Sequence, residues 1–209
     1  MSQSEPIVYV VEDDDISRGL IIALADSIGL ACEPFADAAE FLENYDTGQH
    51  GCLVLDVFMP GMTGLQLQME LNRRGAVIPV IFVTGNAAIP DVVAAMRQGA
   101  FNYLVKPIRN AEMLESIRQA LAQDQQNRRM LAQVEQIRQR IFSLTPRERE
   151  VLELVARGCA NKMMAHEMRL SQRTIELHRS RVMEKMGASS LAQLVRMFMD
   201  FEQRAGFSH

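Results

Sequence analysis

The stretch Ile7-Val8-Tyr9-Val10-Val11-Glu12-Asp13-Asp14 decides the fold of the first half of the chain. An unbroken apolar run rich in β-branched residues is typical of a strand that is covered on both faces, as strands of a parallel sheet are. Acidic residues follow at once, where such a strand ends. The sequence therefore predicts a buried parallel strand that brings Glu12 and Asp13 to the carboxyl edge of a sheet.

Four more strands are predicted, separated by helical patterns. The strands span residues 31–35, 52–55, 80–83 and 102–105, and the helices span about 16–28, 38–46, 64–74 and 90–98. The first of these strands is the weakest because it contains Pro34, which cannot donate a ladder hydrogen bond. Repeated strand–helix units predict an α/β fold with a doubly wound parallel sheet, whose binding crevice lies beyond the carboxyl ends of the strands.

Polar residues stand at several of these strand ends. Glu12 and Asp13 follow the first strand, and Asp56, Thr84 and Lys106 follow the third, fourth and fifth. Carboxylates would hold a hard dication, while the hydroxyl and the ammonium would hold the oxygens of a phosphoryl group on Asp56. The alternative is that the acids simply end strands and cap helices, as aspartate often does. The complete set favours a chemical site.

This set resembles the receiver domain of two-component response regulators, over residues 5–122. The resemblance implies a five-stranded sheet of order 2-1-3-4-5 and transfer of a phosphoryl group to Asp56 from a histidine kinase. It also implies that Thr84 swings toward the phosphoryl group, that Tyr103 turns inward, and that Lys106 pairs with the new oxygens. The surface around the fourth helix and fifth strand, where family dimers form, would then change. Alternatively, Tyr103 is a buried strand aromatic with its hydroxyl at the rim.

The same resemblance implies a Mg²⁺ site. Its ligands would be Asp13, Asp56 and the backbone carbonyl of Phe58, with Glu12 acting through water. It also implies a cis peptide bond between Lys106 and Pro107, a form that only X-Pro bonds adopt at low cost.

Two positions depart from the receiver pattern. Phe58 stands two residues after Asp56, where receivers often have a polar residue, and Asn86 stands two residues after Thr84. Both positions flank the acyl phosphate in the family. A phenyl ring there cannot orient an attacking water, so a long-lived phosphorylated form is predicted unless the ring points to solvent.

A second pattern begins at Thr145-Pro146-Arg147-Glu148. Thr145 is suited to cap a helix, Pro146 to its first position, and Glu148 to a capping box. A helix is therefore predicted to begin at Pro146, and its apolar stripe stops at Gly158, a residue suited to the backbone position after a helix end.

A tight pair of helices follows, over about residues 161–168 and 172–186, with Ser171 as the cap of the second. Together with the helix that begins at Pro146, this helix pair resembles the helix-turn-helix of LuxR-type transcription regulators. Together, the two halves resemble the NarL/FixJ class of response regulators, with features of its FixJ- and styrene-regulator-like branch. Met163 and Met164 are interpreted as core filler of the first helix of the pair.

The second helix of the pair is the expected recognition helix. Ile175, Val182 and Met186 are predicted to face inward, and the basic side chains to stay in water and mostly contact phosphate. The residues placed to reach base edges are Glu176, Leu177 and Ser180. Glu176 could instead orient a neighbouring arginine. The complete set expected at DNA is Arg173, Thr174, Glu176, Leu177, His178, Arg179, Ser180, Arg181 and Lys185.

Residues 111–142 contain no proline or glycine and predict one helix of about 48 Å at 1.5 Å per residue. Its first stripe, Leu114, Ile117 and Leu121, is expected to pack on the sheet. Its second stripe, Leu131, Val134, Ile137 and Ile141, is either a dimer seam or a face that docks on the DNA-binding domain. The predicted domains are therefore a receiver over 1–122, a linker helix over 123–142 and a DNA-binding domain over 143–209, whose last helix would present Leu191, Leu194, Val195 and Phe198 to a dimer partner.

Charge is divided unevenly along the chain. Residues 1–142 contain 11 lysines and arginines against 18 acids, and residues 143–209 contain 11 against 8. The basic second half suits DNA despite the net charge of -4. No apolar run approaches a membrane span of about 20 residues, and the first residues lack a signal peptide, so a cytoplasmic protein is predicted. Cys32, Cys52 and Cys159 lack the spacing of metal ligands and are interpreted as small buried residues.

The expected function is phosphorylation-activated transcription regulation. Its partners would be promoter DNA, a sensor histidine kinase, a second copy of the chain on phosphorylation, and RNA polymerase. Two alternatives are a metal-dependent phosphatase-like enzyme and a DNA-binding scaffold with a vestigial pocket. The enzyme is disfavoured because Val57 and Phe58 stand where a second catalytic acid would be.

Overall fold

A computed structural model describes residues 5–85 and 88–205. Within them lie the strands β1 (Ile7–Val11), β2 (Ala31–Phe35), β3 (Gly51–Asp56), β4 (Val80–Thr84) and β5 (Asn102–Val105). The helices are α1 (Asp15–Asp26), α2 (Ala38–Asn44), α3 (Gly64–Arg73), α4 (Ile89–Arg97), α5 (Asn110–Phe142), α6 (Pro146–Ala156), α7 (Asn161–Met168), α8 (Gln172–Met186) and α9 (Leu191–Ala205). The chain divides into two compact units between Arg128 and Arg129.

The five strands form one parallel sheet in the order β2-β1-β3-β4-β5, as predicted. β1 lies between β2 and β3, with Val8 beside both Cys32 and Cys52. Pro34 is accommodated because β2 is an edge strand, where a missing N–H removes the fewest ladder hydrogen bonds. The parallel arrangement directs the carboxyl ends of all five strands to one edge of the sheet.

Each face of the sheet is covered by helices. One face carries Tyr9 and Phe82 together with residues of α2 and α3, and the other carries Val8 and Val54 together with residues of α1 and α5. On α5 the buried stripe is Met113, Ile117 and Ala120, with Leu121 at its margin. The prediction of Leu114 in this stripe was wrong because the stripe begins one residue earlier, at Met113.

The second unit is built on its own apolar core. Val151 and Leu152 of α6 pack there with Ile175, Val182 and Met186 of α8, and all five are fully buried. The capping box of Thr145 and Glu148 is present, and Gly158 has the left-handed φ of +78° that follows the helix end. These features confirm the predicted helix starts and ends.

Two predictions for the second unit need correction. Met164 is buried, but Met163 is 62% exposed and therefore not core filler. Leu194, Val195 and Phe198 of α9 pack in the unit's own core, so Leu191 is the only residue of the predicted dimer set that stays exposed.

The long helix α5 is continuous from Asn110 to Phe142. Near its end, Ile137 and Ile141 join the core of the second unit, whereas Leu131 is half-exposed. For these two isoleucines, packing on the DNA-binding domain is therefore favoured over the alternative of a dimer seam. Among the helices of residues 5–85 and 88–205, none has the length and apolar character that a membrane span requires.

Candidate functional site

The polar residues at the carboxyl edge of the sheet meet in one pocket. Glu12 follows β1 directly, Asp56 ends β3, Thr84 ends β4 and Lys106 follows β5. Carboxylate oxygens of Glu12, Asp13 and Asp56 all lie within 4.8 Å of one another. The sheet therefore brings the five strand-end residues selected from the sequence to the same edge.

Negative charge exceeds positive charge in this pocket. Lys106 donates from Nζ to Glu12 Oε2 at 2.7 Å, and Glu12 is buried. The backbone N–H of Val57 donates to Asp56 Oδ1 at 2.8 Å. Burial, and after it the charge of Glu12, raises the pKa of Asp56 to about 6. A pocket with this charge balance favours a bound cation.

The neighbouring acid Asp14 has a different role. Its side chain accepts from the backbone N–H of Ser17 at 2.7 Å and caps α1, and this hydrogen bond lowers its pKa. The interpretation of a strand-end acid as a helix cap is thus correct for Asp14. Arg18, which sequence reasoning did not select, donates to the backbone carbonyl of Glu12 at 2.6 Å and forms an ion pair with Asp15.

Thr84 and Tyr103 lie on adjacent strands, two residues out of register, because Tyr103 pairs with Phe82 and Thr84 pairs with Val105. Thr84 is fully buried, and the Tyr103 ring packs on the core face with its centroid 5.9 Å from that of Phe82. Burial, and after it the charge of Asp91, raises the pKa of Tyr103. The ring is thus already directed inward. The Lys106-Pro107 peptide bond is cis, as predicted.

Of the two positions that depart from the receiver pattern, Phe58 and Asn86, the structure describes only Phe58. The Phe58 side chain is 49% exposed, so the ring is partly in solvent. Asn86 lies outside the described residues.

An apolar surface lies near Thr84 and Tyr103, and we call it the α4–β5 face. Its residues are exposed although they are large and hydrophobic: Ile89, Val93, Met96 and Val105. The first three follow the i, i+4, i+7 spacing that places side chains on one side of a helix. Grouped exposed apolar side chains are typical of surfaces that contact another molecule.

A second cluster of charged side chains, built around one carboxylate, lies in the first unit. Asp124 on α5 is fully buried and accepts from Gly51 N at 3.0 Å, from Arg128 Nε at 2.8 Å, and pairs with His50 Nδ1. The Arg128 guanidinium also donates to three successive carbonyls, those of Thr47, Gly48 and Gln49. We call His50, Asp124 and Arg128 the anchor cluster.

The anchor cluster was not predicted from the sequence. Asp124 and Arg128 lie in the predicted linker helix over 123–142. Their spacing of four residues is a local signal for an ion pair on a helix, but it gives no sign of burial. His50 is 74 residues away from Asp124, so nothing local connects them.

In the second unit, α8 presents one face away from the core. Its exposed residues include Arg173, Leu177, Ser180 and Arg181, which lie three or four residues apart and so share a face. Leu177 is 51% exposed, and Glu176 lies beside it, also exposed. This face combines positive charge with groups suited to base edges.

Two predicted DNA-contacting cations are bound within the unit. Arg179 is half-buried and donates from Nη1 to Asn161 Oδ1 of α7 at 2.5 Å. Lys185 donates to the buried carboxylate of Glu148 at 2.6 Å and to the carbonyl of Ser143 at 3.3 Å. The Lys185 hydrogen bond holds the pKa of Glu148 at about 2. Arg179 is therefore less exposed than expected, whereas Lys185 stays exposed although its ammonium is paired.

Fold and pocket together define a response regulator with a receiver and a helix-turn-helix domain. Comparison with protein families agrees: the response regulator receiver domain matches residues 8–118, and the luxR family of bacterial regulatory proteins matches residues 142–198. The chain belongs to the response regulators of the NarL/FixJ class and is a phosphorylation-activated DNA-binding transcription regulator.

Individual relatives cover nearly the whole chain. The response regulator protein TodT of Pseudomonas putida is 39% identical over 197 residues, which is 94% of this chain and 87% of TodT. The transcriptional regulatory protein FixJ of Azorhizobium caulinodans is 42% identical over 197 residues, 94% of this chain and 93% of FixJ. Among solved structures, the response regulator StyR is 39% identical with a TM-score of 0.83 and covers 94% of this chain and 99% of that one.

Proposed function

We propose that Asp56 is the residue that accepts the phosphoryl group, from a sensor histidine kinase. The observation that carries this is the convergence of Asp56 with Glu12, Asp13 and Lys106 at one sheet edge, while Thr84 ends the adjacent strand. The Asp56 carboxylate attacks the phosphorus of the donor, and the donor's phosphoramidate P–N bond breaks. The ammonium of Lys106 is near enough to turn from Glu12 toward the new phosphoryl oxygens.

We propose Mg²⁺ as the cation of this pocket. Asp13 and Asp56, with the backbone carbonyl of Phe58, supply the oxygen ligands that Mg²⁺ prefers, and Glu12 acts through water. When bound, Mg²⁺ offsets the negative charge that would repel an incoming phosphoryl donor. The exposed position of Asp13 and the excess of carboxylates over cations support this assignment.

We propose that phosphorylation acts through Thr84 and Tyr103 on the α4–β5 face. Thr84 turns toward the phosphoryl group, and the packing of Tyr103 against the core becomes favoured. The inward position of the Tyr103 ring is compatible with the packed core. Phosphorylation therefore raises the fraction of molecules with this ring position and does not create a new conformation. Apolar side chains on the α4–β5 face support a homodimer as the product of this shift.

We propose that the phosphorylated protein binds promoter DNA through α8. We also infer that it contacts RNA polymerase, because it regulates transcription. Phosphate contacts come from Arg173 and Arg181, and base edges are reached by Glu176, Leu177 and Ser180. The excess of basic over acidic residues in the second half of the chain supports the DNA role.

We also propose the domain limits 1–122, 123–142 and 143–209, and a cytoplasmic location.

The intact mass of the chain after incubation with acetyl phosphate and Mg²⁺ tests this proposal. A stable adduct of one phosphoryl group is expected, because the pocket holds the acyl phosphate away from bulk water. Turnover of acetyl phosphate without an adduct would instead indicate an enzyme. No reaction would indicate a phosphorylation-independent DNA-binding protein.

A further inference from the structure

The basic residues of α8 fall into two groups that their sequence positions do not distinguish. Arg173 and Arg181 are exposed, and each lies four residues from the half-exposed Leu177. Arg179 has the opposite surroundings. Ile175 and Val182, four residues before it and three after it, are fully buried, and therefore the Arg179 side chain leaves the helix on the side that faces the protein.

From this position Arg179 reaches the neighbouring helix. Its Nη1 donates to Oδ1 of Asn161, the first residue of α7. The cap of α7 is Ala160, which has no side-chain cap hydrogen bond, so Asn161 provides the side-chain contact between this helix start and α8. Hydrogen bonds to a charged group are stronger than neutral ones.

We infer that Arg179 is a positioning residue for DNA recognition and not a phosphate contact. It acts through Asn161 and fixes α8 against α7, so that Arg173, Leu177 and Arg181 enter the groove together. This rests on the proposed role of α8 as the helix that contacts DNA. Lys185, bound to Glu148 and Ser143, belongs to the same tethered group.

The dependence of DNA affinity on salt concentration separates the two roles. Each phosphate contact that a protein loses reduces the slope of log K against log salt by about 0.9. A positioning residue carries the same positive charge but releases no counterion when DNA binds. Removing it therefore lowers affinity at every salt concentration and leaves the slope unchanged.

The experiment uses the full chain treated with acetyl phosphate and a duplex that the wild type selects from a random 30-base-pair pool. Arg179→Gln, Asn161→Ala, their double variant and the matched control Arg181→Gln are titrated at several salt concentrations. Arg181→Gln is expected to reduce the slope by about 0.9. Arg179→Gln and Asn161→Ala are each expected to weaken binding about tenfold with the wild-type slope, and the double variant to be no worse than either.

Two results would overturn the inference: a slope reduced by Arg179→Gln as much as by Arg181→Gln, or unchanged affinity in Asn161→Ala. If Arg179→Gln does not fold, Asn161→Ala decides alone, since it changes no charge. If the control Arg181→Gln keeps the wild-type slope, the result contradicts the proposed role of α8 as the DNA-contacting helix and is thereby distinguished from a failure of the role of Arg179.

Discussion

The first unit contains two clusters of charged side chains that differ in their charge balance. In the pocket, Glu12, Asp13 and Asp56 are close together, and Lys106 is the cation that the structure pairs with them. In the anchor cluster, a single carboxylate, that of Asp124, is met by a guanidinium, an imidazole and a backbone N–H. The first cluster has more negative charge than its donors neutralise, and the second has every acceptor occupied.

This difference separates a reactive site from a structural one. A buried charge that is fully hydrogen-bonded holds its surroundings in one arrangement. An uncompensated group of carboxylates is ready to accept a cation, and the raised pKa of Asp56, about 6, reflects the same imbalance. Burial alone does not distinguish the two clusters, because both Asp56 and Asp124 are buried.

The largest expected effect is in the pocket. Asp56→Asn removes the nucleophile and a charge that holds Mg²⁺, and it is expected to abolish the phosphoryl adduct and the phosphate-dependent rise in dimer or DNA affinity. Intact mass after incubation with acetyl phosphate measures the adduct. Undiminished adduct formation in the variant would place the phosphoryl group on another residue.

Asp124→Ala tests the anchor cluster. It leaves Arg128, His50 and a buried backbone N–H without their acceptor and is expected to lower the free energy of unfolding of the first unit by about 3–5 kcal/mol. The chain has three tyrosines and no tryptophan, and all three tyrosines lie in the first unit, so tyrosine fluorescence in urea follows this unit.

Glu112→Ala is the matched control for Asp124→Ala. It breaks an exposed α5 ion pair with Arg109 and is expected to cost at most about 1 kcal/mol. An equal loss in both variants would mean that Asp124 is no more than a surface charge, and the contrast between the two clusters would not hold.

Mg²⁺ is expected to stabilise the first unit through the pocket and not through the anchor cluster. At a concentration tenfold above its Kd, one site that exists only in the folded state adds about 1.4 kcal/mol to the free energy of unfolding. The same fluorescence titration with and without Mg²⁺ measures this. Asp13→Asn is expected to lose most of the increment. An increment that survives in Asp13→Asn would indicate a different cation site.

The smallest expected effect concerns Phe58. If its ring borders the acyl phosphate, Phe58→Asn supplies a polar group that orients water and shortens the phosphoryl lifetime by roughly threefold to tenfold, at most about 1.4 kcal/mol in the barrier. A decay series of both phosphorylated proteins in Mg²⁺ buffer measures the lifetime. Equal or slower decay in the variant would mean that the half-exposed ring points away from the pocket.

Much of the fold and the pocket could be predicted from the sequence because their signals are local. The run from Ile7 to Val11 predicts its own strand, and parallel strands place their carboxyl ends at one edge whatever the details of packing. Thr145 and Glu148 likewise predict a helix start, since the capping box involves only four consecutive residues.

The errors arose where a side chain's partner is distant in the sequence. Arg179 was expected in water because its own helix gives no sign of Asn161, 18 residues earlier. Leu194 and Phe198 resemble an apolar dimer surface in the sequence, but the rest of the second core covers them. Asp124 lies in the predicted linker helix, and its partner His50 is 74 residues away in the sequence. Periodicity identifies an apolar or polar face, but only the tertiary structure shows what covers it.

The anchor cluster also determines how the first unit exchanges its amide hydrogens with solvent. The N–H of Gly51 is bound to a buried carboxylate, and Arg128 holds the carbonyls of Thr47, Gly48 and Gln49, so this edge of the sheet opens only when several charge-assisted hydrogen bonds break together. We therefore expect the N–H of Gly51 to exchange slowly, and hydrogen exchange of the intact chain measures this rate. In the Asp124→Ala variant the same N–H is expected to exchange faster, since its buried acceptor is gone.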